Sequence, residues 1–428
     1  MPRLLLLLPA TTYRTEAFLD AARTLRLDVT LGLERTALLV DRPQFEWLTL
    51  NFSEPERSAE AVVEYAREHP IQAVLGVDEL TTVLAAQCSA ALGLPHNSVE
   101  SVSAAGNKYR MRELLHEHGV PVPGFVRCSI FDDPATFAEK VAYPCVVKPL
   151  VLSASCGVIR ANDRAEFVTA CRRVTELLHT LGVTKAGEAG RQLLVEDFVP
   201  GREVALDGLL TNGALQMLAL FDKPDPLDGP FFEETIYVTP SRLPATIQTE
   251  MAACAEKAAQ ALGLREGPIH GELRINDQGV WVIEVAARSI GGRCSRTLRF
   301  AADCSLEELI LRHAFRLELP PLEQRAGAAG VMMLPIPHAG ILRDVRGREA
   351  ALQVPGIEEV TVTAEPAQEI VPLPEGTRYL GFMIARGASP RSVEIALREA
   401  HRRLEFVIDP EAGAHAENER SGVTTIRF

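Results

Sequence analysis

Five consecutive leucines, Leu4 to Leu8, constrain the fold of this chain more than any other segment. A continuous apolar run of this length is typical of a strand buried on both faces of a parallel sheet. It is much shorter than the roughly 20 apolar residues of a membrane span, and no small-residue cleavage pattern of a signal peptide follows it. We therefore expect this run to be the first strand of an α/β unit.

Apolar runs and helical patterns alternate through the first hundred residues. After the leucines we predict a helix over 16–24, a strand at 29–31, a helix over 59–68 and a strand at 73–76. This alternation is typical of a doubly wound α/β domain with a parallel sheet. The segment has no G-x-G-x-x-G pattern, so the dinucleotide-binding fingerprint is absent where it would be expected.

Length, charge and cysteine usage narrow the class of protein. A chain of 428 residues is too long for one ordinary core and indicates several packed units. The net charge of -13 excludes a general nucleic-acid binder, which needs a basic excess. The eight cysteines are scattered without a C-x-x-C pair, which favours reduced thiols. We expect a cytoplasmic protein that binds neither nucleic acid nor membranes.

Two β-hairpins are predicted in the middle of the chain. The first joins apolar runs at 203–210 and 214–221 through Asn212-Gly213, a strong hairpin signal. The second joins residues 269–275 to 280–285. It carries Glu272 on one strand and Glu284 on the next.

Glu272 and Glu284 are candidate metal ligands. Carboxylates on facing strands can point to the same side, where a cation has to offset their repulsion. Mg²⁺ prefers oxygen ligands and commonly combines one or two carboxylates with nucleotide phosphates. As an isolated pair, the two residues are better explained as surface glutamates paired to Arg274 and Arg288. Because the flanking strands are apolar, we favour the metal site.

Two lysines and a Ser/Gly loop are candidate phosphate contacts. Lys148 directly follows a short strand at 145–147, and Ser153, Ser155 and Gly157 come shortly after it. Hydroxyls and backbone N–H groups of such a loop suit phosphate oxygens. Lys108 opens a helix over 107–118, where exposed N–H groups favour anions. Each lysine taken alone is better explained as a surface residue.

The segment E-D-F-V-P-G-R-E, residues 196–203, connects two apolar strands. Such a connector can present backbone groups to a flat base, and Glu203 can accept hydrogen bonds from ribose hydroxyls. The alternative is a plain linker between domains.

In their order along about residues 107–300, these features resemble the ATP-grasp superfamily. The resemblance rests on the helix-opening lysine, P-C-V-V-K-P at 144–149, the Ser/Gly loop, V-E-D-F-V-P-G-R-E-V at 195–204 and E-V-A-A-R-S-I-G-G at 284–292. It implies ATP and Mg²⁺ as cofactors, with Mn²⁺ as a substitute. One departure stands out, because many members place Asn where this chain has Ala286, so the protein would hold a second metal ion less fully.

The resemblance also implies residue roles. Lys108 and Lys148 look like phosphate-binding lysines, and Lys148 and Arg288 like the catalytic cations beside the transferred phosphate or the substrate carboxylate. The implied adenine-contacting residues are Glu196, Asp197 and Val199, the last two acting through their backbone. Glu203 looks like the ribose ligand, and Glu272 and Glu284 like the metal ligands.

The implied fold class is α/β with an α+β ATP-grasp core. We expect a doubly wound N-terminal domain over 1–104, an ATP-grasp domain over 105–318 with a lid subdomain at about 122–200, and a C-terminal α+β domain over 319–428. In the C-terminal domain we predict strands near 330–335, 360–362 and 380–385, a helix over 390–404 and a polar tail.

Within the superfamily the chain resembles the L-amino acid ligases, which make dipeptides. The motifs are F-F-E-E at 231–234, Y-V-T-P-S at 237–241 and Y-L-G-F-M-I-A at 379–385. The resemblance implies amide formation through an acyl phosphate, with an amino-acid carboxylate and an amine as substrates. The implied substrate residues are Glu233, Glu234, His270, Arg288, Gly291 and Arg293. Since it lies two residues before Glu272, His270 should point to the same side of its strand.

Two other functions stay open at this point. The first is a ligase resembling biotin carboxylase or the purine-pathway enzymes, which uses bicarbonate or formate as the small acid. The second is a non-catalytic nucleotide-binding protein, for which Ala286 leaves room. We expect a homodimer, the commonest assembly.

Overall fold

The computed structural model describes residues 1–9, 12–34, 45–185, 187–322 and 326–410. The α-helices are α1 (Thr15–Thr24), α2 (Pro55–Ala66), α3 (Glu79–Ala91), α4 (Val99–Ala105), α5 (Lys108–Glu117), α6 (Pro134–Phe137), α7 (Arg164–Thr180), α8 (Ala245–Ala261), α9 (Leu306–Ala314), α10 (Arg348–Leu352) and α11 (Pro390–His401). The strands of the first half are β1 (Arg3–Leu8), β2 (Asp28–Leu33), β3 (Glu46–Thr49), β4 (Ala73–Gly76), β5 (Phe125–Ser129), β6 (Cys145–Pro149), β7 (Ile159–Ala161), β8 (Gln192–Asp197), β9 (Arg202–Thr211) and β10 (Ala214–Asp222). The later strands are β11 (Ile236–Thr239), β12 (Gly267–Asn276), β13 (Gly279–Ala286), β14 (Ala328–Leu334), β15 (Gly340–Arg346), β16 (Ile357–Val362), β17 (Glu369–Ile370), β18 (Gly381–Gly387) and β19 (Glu405–Asp409).

The N-terminal unit is a parallel sheet in the order β3-β2-β1-β4. All five leucines of β1 are buried, and successive side chains enter different cores. Leu4, Leu6 and Leu8 join one cluster, whereas Leu5 and Leu7 join another on the opposite face. The prediction of a strand buried on both faces is confirmed, because only a two-sided environment accepts an unbroken apolar run.

The lid is an antiparallel sheet in the order β5-β8-β6-β7, and α7 packs on it. Its small core contains Val147, Phe167, Val174 and Val195. Asp163 starts α7 by accepting hydrogen bonds from the N–H groups of Ala165 and Glu166. These elements lie inside the segment 122–200 for which the sequence predicts a lid.

The largest sheet has eight strands in the order β13-β12-β9-β10-β11-β14-β18-β16. Both predicted hairpins are present, β9 with β10 and β12 with β13. Asn212 and Gly213 adopt φ values of 52° and 89°, which the tight turn requires and which Asn and Gly accept most readily. β9 also pairs with β12, which brings the two hairpins into one surface.

The C-terminal segment is divided between two sheets. β14, β16 and β18 extend the large sheet, so that this sheet crosses the predicted boundary at 318/319 without interruption. A separate small sheet has the order β17-β15-β19. The polar tail, residues 411–428, lies outside the described residues.

One hydrophobic core joins the N-terminal unit to the large sheet. Leu6 and Phe18 of the N-terminal unit share it with Phe221, Met333 and Phe382 of the large sheet. The cavity described below therefore has walls that are packed against one another. In the part of the chain that the structure describes, no helix combines the length and apolar character needed to cross a membrane.

Candidate active site

A cavity of about 1030 Å³ opens where the N-terminal unit, the lid, the large sheet and the segment 363–379 meet. It is large enough for a nucleotide and a small substrate. The predicted site residues that line it are Lys108, Lys148, Ser153, Ser155, Glu196, Asp197, Val199, Glu203, Glu234, His270, Glu272, Glu284, Arg288 and Gly291.

Three predicted site residues do not line this cavity, and each has a physical reason. The N–H of Gly157 donates to the Pro374 carbonyl, and at its φ of 72° an added Cβ would lie 3.2 Å from Leu177, so this glycine serves packing. Arg293 turns away to Glu359, with its Nη1 2.7 Å from the Glu359 Oε1. Glu233 is half-buried outside the cavity, and burial raises the pKa of its carboxyl. Gly157, Arg293 and Glu233 therefore lie outside the lining of the cavity.

Lys108 connects the start of a helix to the metal-ligand strand. Asn107 caps α5 by accepting from two backbone N–H groups, which fixes Lys108 at the first helical position. The Lys108 Nζ lies 2.7 Å from the Leu152 carbonyl and 3.3 Å from the Glu284 Oε1. Lys108 thus joins the predicted phosphate loop to a predicted metal ligand.

Lys148 is held by a buried ion cluster. It pairs with Glu196, whose other carboxylate oxygen accepts from the Arg112 guanidinium. Burial alone would raise the pKa of Glu196, but Arg112 and Lys148 together lower it below its usual value. The Glu196 side chain is therefore committed to orienting Lys148 rather than being free for adenine. Arg112 was not predicted, since nothing in its local sequence distinguishes it from a surface arginine.

The connector after β8 leaves one free backbone donor at the cavity. The Asp197 N–H donates to the Gly124 carbonyl, and the Val199 carbonyl accepts from Arg274. The Val199 N–H donates to none of the described residues. Beside it lies an apolar slot whose walls include Val146, Leu227 and Phe232. A flat base could enter this slot with a ring nitrogen at the Val199 N–H.

The loop after Lys148 presents backbone donors. Ala154 and Ser155 both have positive φ, 55° and 56°, a conformation that non-glycine residues adopt rarely. Both line the cavity. Successive residues in such turn conformations direct their N–H groups into a concavity that suits anions. The loop therefore fits phosphate oxygens, as its composition predicts.

Lys223 and three glutamates form the centre of the site. The Lys223 Nζ lies 2.7 Å from Glu203, 2.5 Å from Glu234 and 3.0 Å from Glu272. Burial alone would lower the pKa of Lys223, but the three carboxylates raise it well above its usual value. Lys223 was missed, although Lys223-Pro224 after an apolar strand repeats the Lys148-Pro149 pattern that identified Lys148.

The donors around this centre fit a divalent cation. Glu272 and Glu284 face each other across β12 and β13, and the carboxylates of Glu203, Glu234 and Glu272 converge within 4.8 Å. The acidic groups outnumber their cations, and burial, against the opposing effect of Lys223, raises the pKa of Glu234 to about 8. Glu272 and Glu284 are the residues that would hold Mg²⁺, because they lie opposite each other on facing strands. The nearby Ala286 is buried and offers no side-chain oxygen.

His270 lies beside the cluster on the predicted side of its strand. Its Nε2 is 3.8 Å from the Glu272 Oε1, and its Nδ1 is 3.2 Å from the Leu206 carbonyl.

Arg288 is positioned by the N-terminal unit. Its Nε lies 3.2 Å from the Glu79 carboxylate at the start of α3. The following loop is fixed by buried Arg14, which donates to the Ser289 hydroxyl at 2.7 Å and the Ile290 carbonyl at 2.6 Å. Asp207 completes this support by accepting from the Ile290 N–H at 3.0 Å. No local sequence pattern marks these three supports, because they lie more than 80 positions from the residues they hold.

Asp207 gives a stability prediction that depends on pH. Burial, opposed by the Ile290 N–H and Arg14, raises its pKa from 3.8 to about 8. Its Oδ2 has no hydrogen-bond partner in the described part of the chain. Below about pH 4 the group is protonated in both states. As the pH rises to 8, the unfolded chain releases this proton and the folded protein keeps it, so the free energy of unfolding falls.

The variant Asp207→Asn cannot titrate and should lack this decline. Relative to the parent protein, its free energy of unfolding should rise by about 1 to 3 kcal/mol between pH 5 and pH 8. Urea unfolding at both pH values measures this difference. Exposed Asp277→Asn is the control and should show no pH-dependent difference. If Asp207→Asn changes the free energy of unfolding equally at both pH values, Asp207 does not have a raised pKa in the folded protein.

The C-terminal segment contacts the lid beside the cavity. Glu375 forms a two-pronged ion pair with Arg173 of α7, with a distance of 2.8 Å for one of its two contacts. The neighbouring Pro374 carbonyl accepts from the Gly157 N–H at 2.8 Å. On the other side, Arg160 donates to the Asp228 carbonyl at 2.6 Å. These contacts join the lid to the C-terminal segment and to the loop before β11.

Three segments of the chain match models of known protein domains. Residues 19–96 match the ATP-grasp N-terminal domain, residues 141–297 the ATP-grasp domain, and residues 332–409 the L-amino acid ligase C-terminal domain 2. The chain is 24% identical over 428 residues to the uncharacterized protein y4rH of Sinorhizobium fredii, which covers 98% of this chain and 86% of that protein.

Two characterised proteins are also similar. The alanine–anticapsin ligase of Bacillus subtilis is 24% identical over 279 residues, a match that covers 62% of this chain and 58% of that enzyme. The crystal structure of the L-amino acid ligase from Bacillus licheniformis has a TM-score of 0.78 and 25% identity, and the superposition covers 96% of this chain and 99% of that one. With these domain matches and a shared fold along nearly its whole length, the chain contains ATP-grasp domains and is similar to the L-amino acid ligases.

Proposed function

We propose that this protein is an ATP-dependent ligase that joins an amino-acid carboxylate to an amine through an acyl phosphate. The strongest support is that two groups of charged residues line one cavity. The first group is the cations Lys108, Lys148 and Arg288. The second is the carboxylates Glu272 and Glu284, which lie on facing strands. Cations of this kind neutralise the charge of a transferred phosphoryl group. The similarity to L-amino acid ligases also supports the proposal.

The reaction has two steps. In the first, a carboxylate oxygen attacks the γ-phosphorus of ATP, the bond to the ADP oxygen breaks, and an acyl phosphate forms. In the second, the amine nitrogen attacks the acyl carbon, the bond to the phosphate oxygen breaks, and the nitrogen releases a proton. Bound Mg²⁺ would neutralise part of the phosphate charge.

Each residue has a defined part in this proposal. Lys108 and Lys148 bind phosphate oxygens, and Arg288 stabilises charge at the reacting carboxylate. Glu234 binds the ammonium group of the amino acid, since it is an acidic group among the aromatic residues Tyr237 and Tyr379. The protein thereby contributes orientation and electrostatic stabilisation rather than a covalent intermediate.

A phosphate-release assay with Mg²⁺-ATP and pairs of common L-amino acids tests the function. We expect release only when a carboxylate donor and an amine acceptor are both present, with ADP as the nucleotide product and an amide detected by mass spectrometry. AMP formation would overturn the acyl-phosphate route. A strict requirement for bicarbonate would favour the carboxylating alternative, and ATP binding without amine-dependent release would favour the non-catalytic one. The homodimer and the cytoplasmic location stay predictions.

A further inference from the structure

Five lysine and arginine side chains are among the described residues that line the cavity, and four of them have acidic partners. Lys108 pairs with Glu284, Lys148 with Glu196, Arg274 with Glu203 and Arg288 with Glu79. The fifth, Arg378, forms no ion pair or hydrogen bond with any described residue. A cation left without an internal partner in an otherwise paired site is available to an anion from a ligand.

The backbone that carries Arg378 is held in place. The Gly376 N–H donates to the Pro372 carbonyl at 2.8 Å, and the loop is fixed to the lid through Pro374 and Glu375. On the other side, the Tyr379 ring packs on Phe382 with centroids 6.2 Å apart. The backbone of Arg378 is therefore fixed at the cavity. Its exposed guanidinium forms no ion pair or hydrogen bond with a described residue and can bind a ligand.

The neighbours of Arg378 belong to the substrate side of the cavity. Burial raises the pKa of Tyr379 well above its usual value, and the carboxylates of Glu234 and Glu233 raise it further. The Tyr379 ring therefore lies within electrostatic reach of Glu234. Tyr13, Tyr379 and Phe382 form an aromatic wall here. Tyr13 remains 44% exposed, so this wall has open space in front of it.

We propose that Arg378 binds the carboxylate of the amino-acid acceptor and thereby sets the preference for an acceptor that carries this charge. This inference rests on the proposed ligase function. The carboxylate of the first substrate is consumed when it is phosphorylated, and the phosphates already have Lys108, Lys148 and the metal ligands. Only the acceptor carboxylate then needs a further cation, and a guanidinium can bind it in a bidentate manner.

The test compares each acceptor amino acid with its carboxamide, which keeps the amine and removes the negative charge. Phosphate release is measured with Mg²⁺-ATP and a fixed donor for the full chain, for Arg378→Gln and for Arg378→Lys. We expect the parent protein to prefer the acid over the amide in kcat/KM. In Arg378→Gln this preference should fall by about 10-fold to 100-fold, through the KM of the acceptor, as for a lost charge-assisted hydrogen bond. Arg378→Lys should keep an intermediate preference.

Exposed Arg391 on α11, which has no partner among the described residues, gives the matched control, and Arg391→Gln should behave as the parent protein. Equal kcat/KM for acid and amide in the parent protein would overturn the inference while leaving the ligase function intact. A change in the KM of ATP, with the acid-to-amide preference unaltered, would place Arg378 on the phosphates and also overturn it. No release with any amino-acid pair would instead reject the proposed function itself.

Discussion

Replacing Lys223 with methionine should destabilise the protein by about 3 to 5 kcal/mol and abolish ligase activity. The side chain of Lys223 is only 3% exposed, and it is the shared partner of Glu203, Glu234 and Glu272. Methionine keeps much of the volume but leaves three buried carboxylates without their common cation, and water cannot replace it at this depth. Urea unfolding measures the stability loss, and phosphate release measures the activity.

The destabilisation should also depend on pH, which separates it from a simple packing defect. Because protonated carboxyls no longer repel one another, the deficit of Lys223→Met should shrink as the pH falls. Exposed Lys140→Met is the matched control and should stay within about 0.5 kcal/mol of the parent protein. A Lys223→Met variant of parental stability at neutral pH would show that the cluster does not depend on this lysine.

Replacing Glu284 with glutamine should lower turnover by at least about 100-fold to 1000-fold while the fold remains stable. The substitution preserves shape and removes the charge that pairs with Lys108 and that would hold Mg²⁺. In proteins with Asn at the position of Ala286, a neighbouring oxygen could compensate in part, but here that position carries a methyl group. Turnover should therefore depend strongly on this one carboxylate.

Metal binding provides a second measurement for this variant. A titration of Mn²⁺ in the presence of a non-hydrolysable ATP analogue should show weaker binding for Glu284→Gln than for the parent protein. Glu250→Gln, at an exposed position on α8, makes the same substitution away from the cavity and should match the parent protein in both assays. Near-normal turnover of Glu284→Gln would remove Glu284 from the metal site.

The features that could be predicted from the sequence are those with local signals. The leucine run identifies β1, and Asn212-Gly213 identifies the first hairpin, because each pattern depends on neighbours in the chain. The facing positions of Glu272 and Glu284 follow from the second hairpin in the same way. By contrast, α3 was not predicted, because its apolar residues lie on several sides and show no amphipathic pattern.

The missed parts of the site are contacts between distant segments. Arg14 lies 275 positions before Ser289, to which it donates, and no local pattern marks it. Lys223 gains its importance only when β9 and β12 bring Glu203 and Glu272 to it and the loop before β11 adds Glu234. Glu196 illustrates the same limit, since its motif was recognised but its commitment to Lys148 and Arg112 depends on tertiary packing.

The continuity of the large sheet across residue 318 limits how the protein can be divided. β11 has four registered pairs with β14 and only one with β10. A fragment that ended before β14 would expose the backbone N–H and C=O groups along the β11 edge, and an unpaired edge is a template for intermolecular pairing. The part of the chain before residue 318 therefore depends on the C-terminal strands to cover this edge as well as to complete the cavity wall.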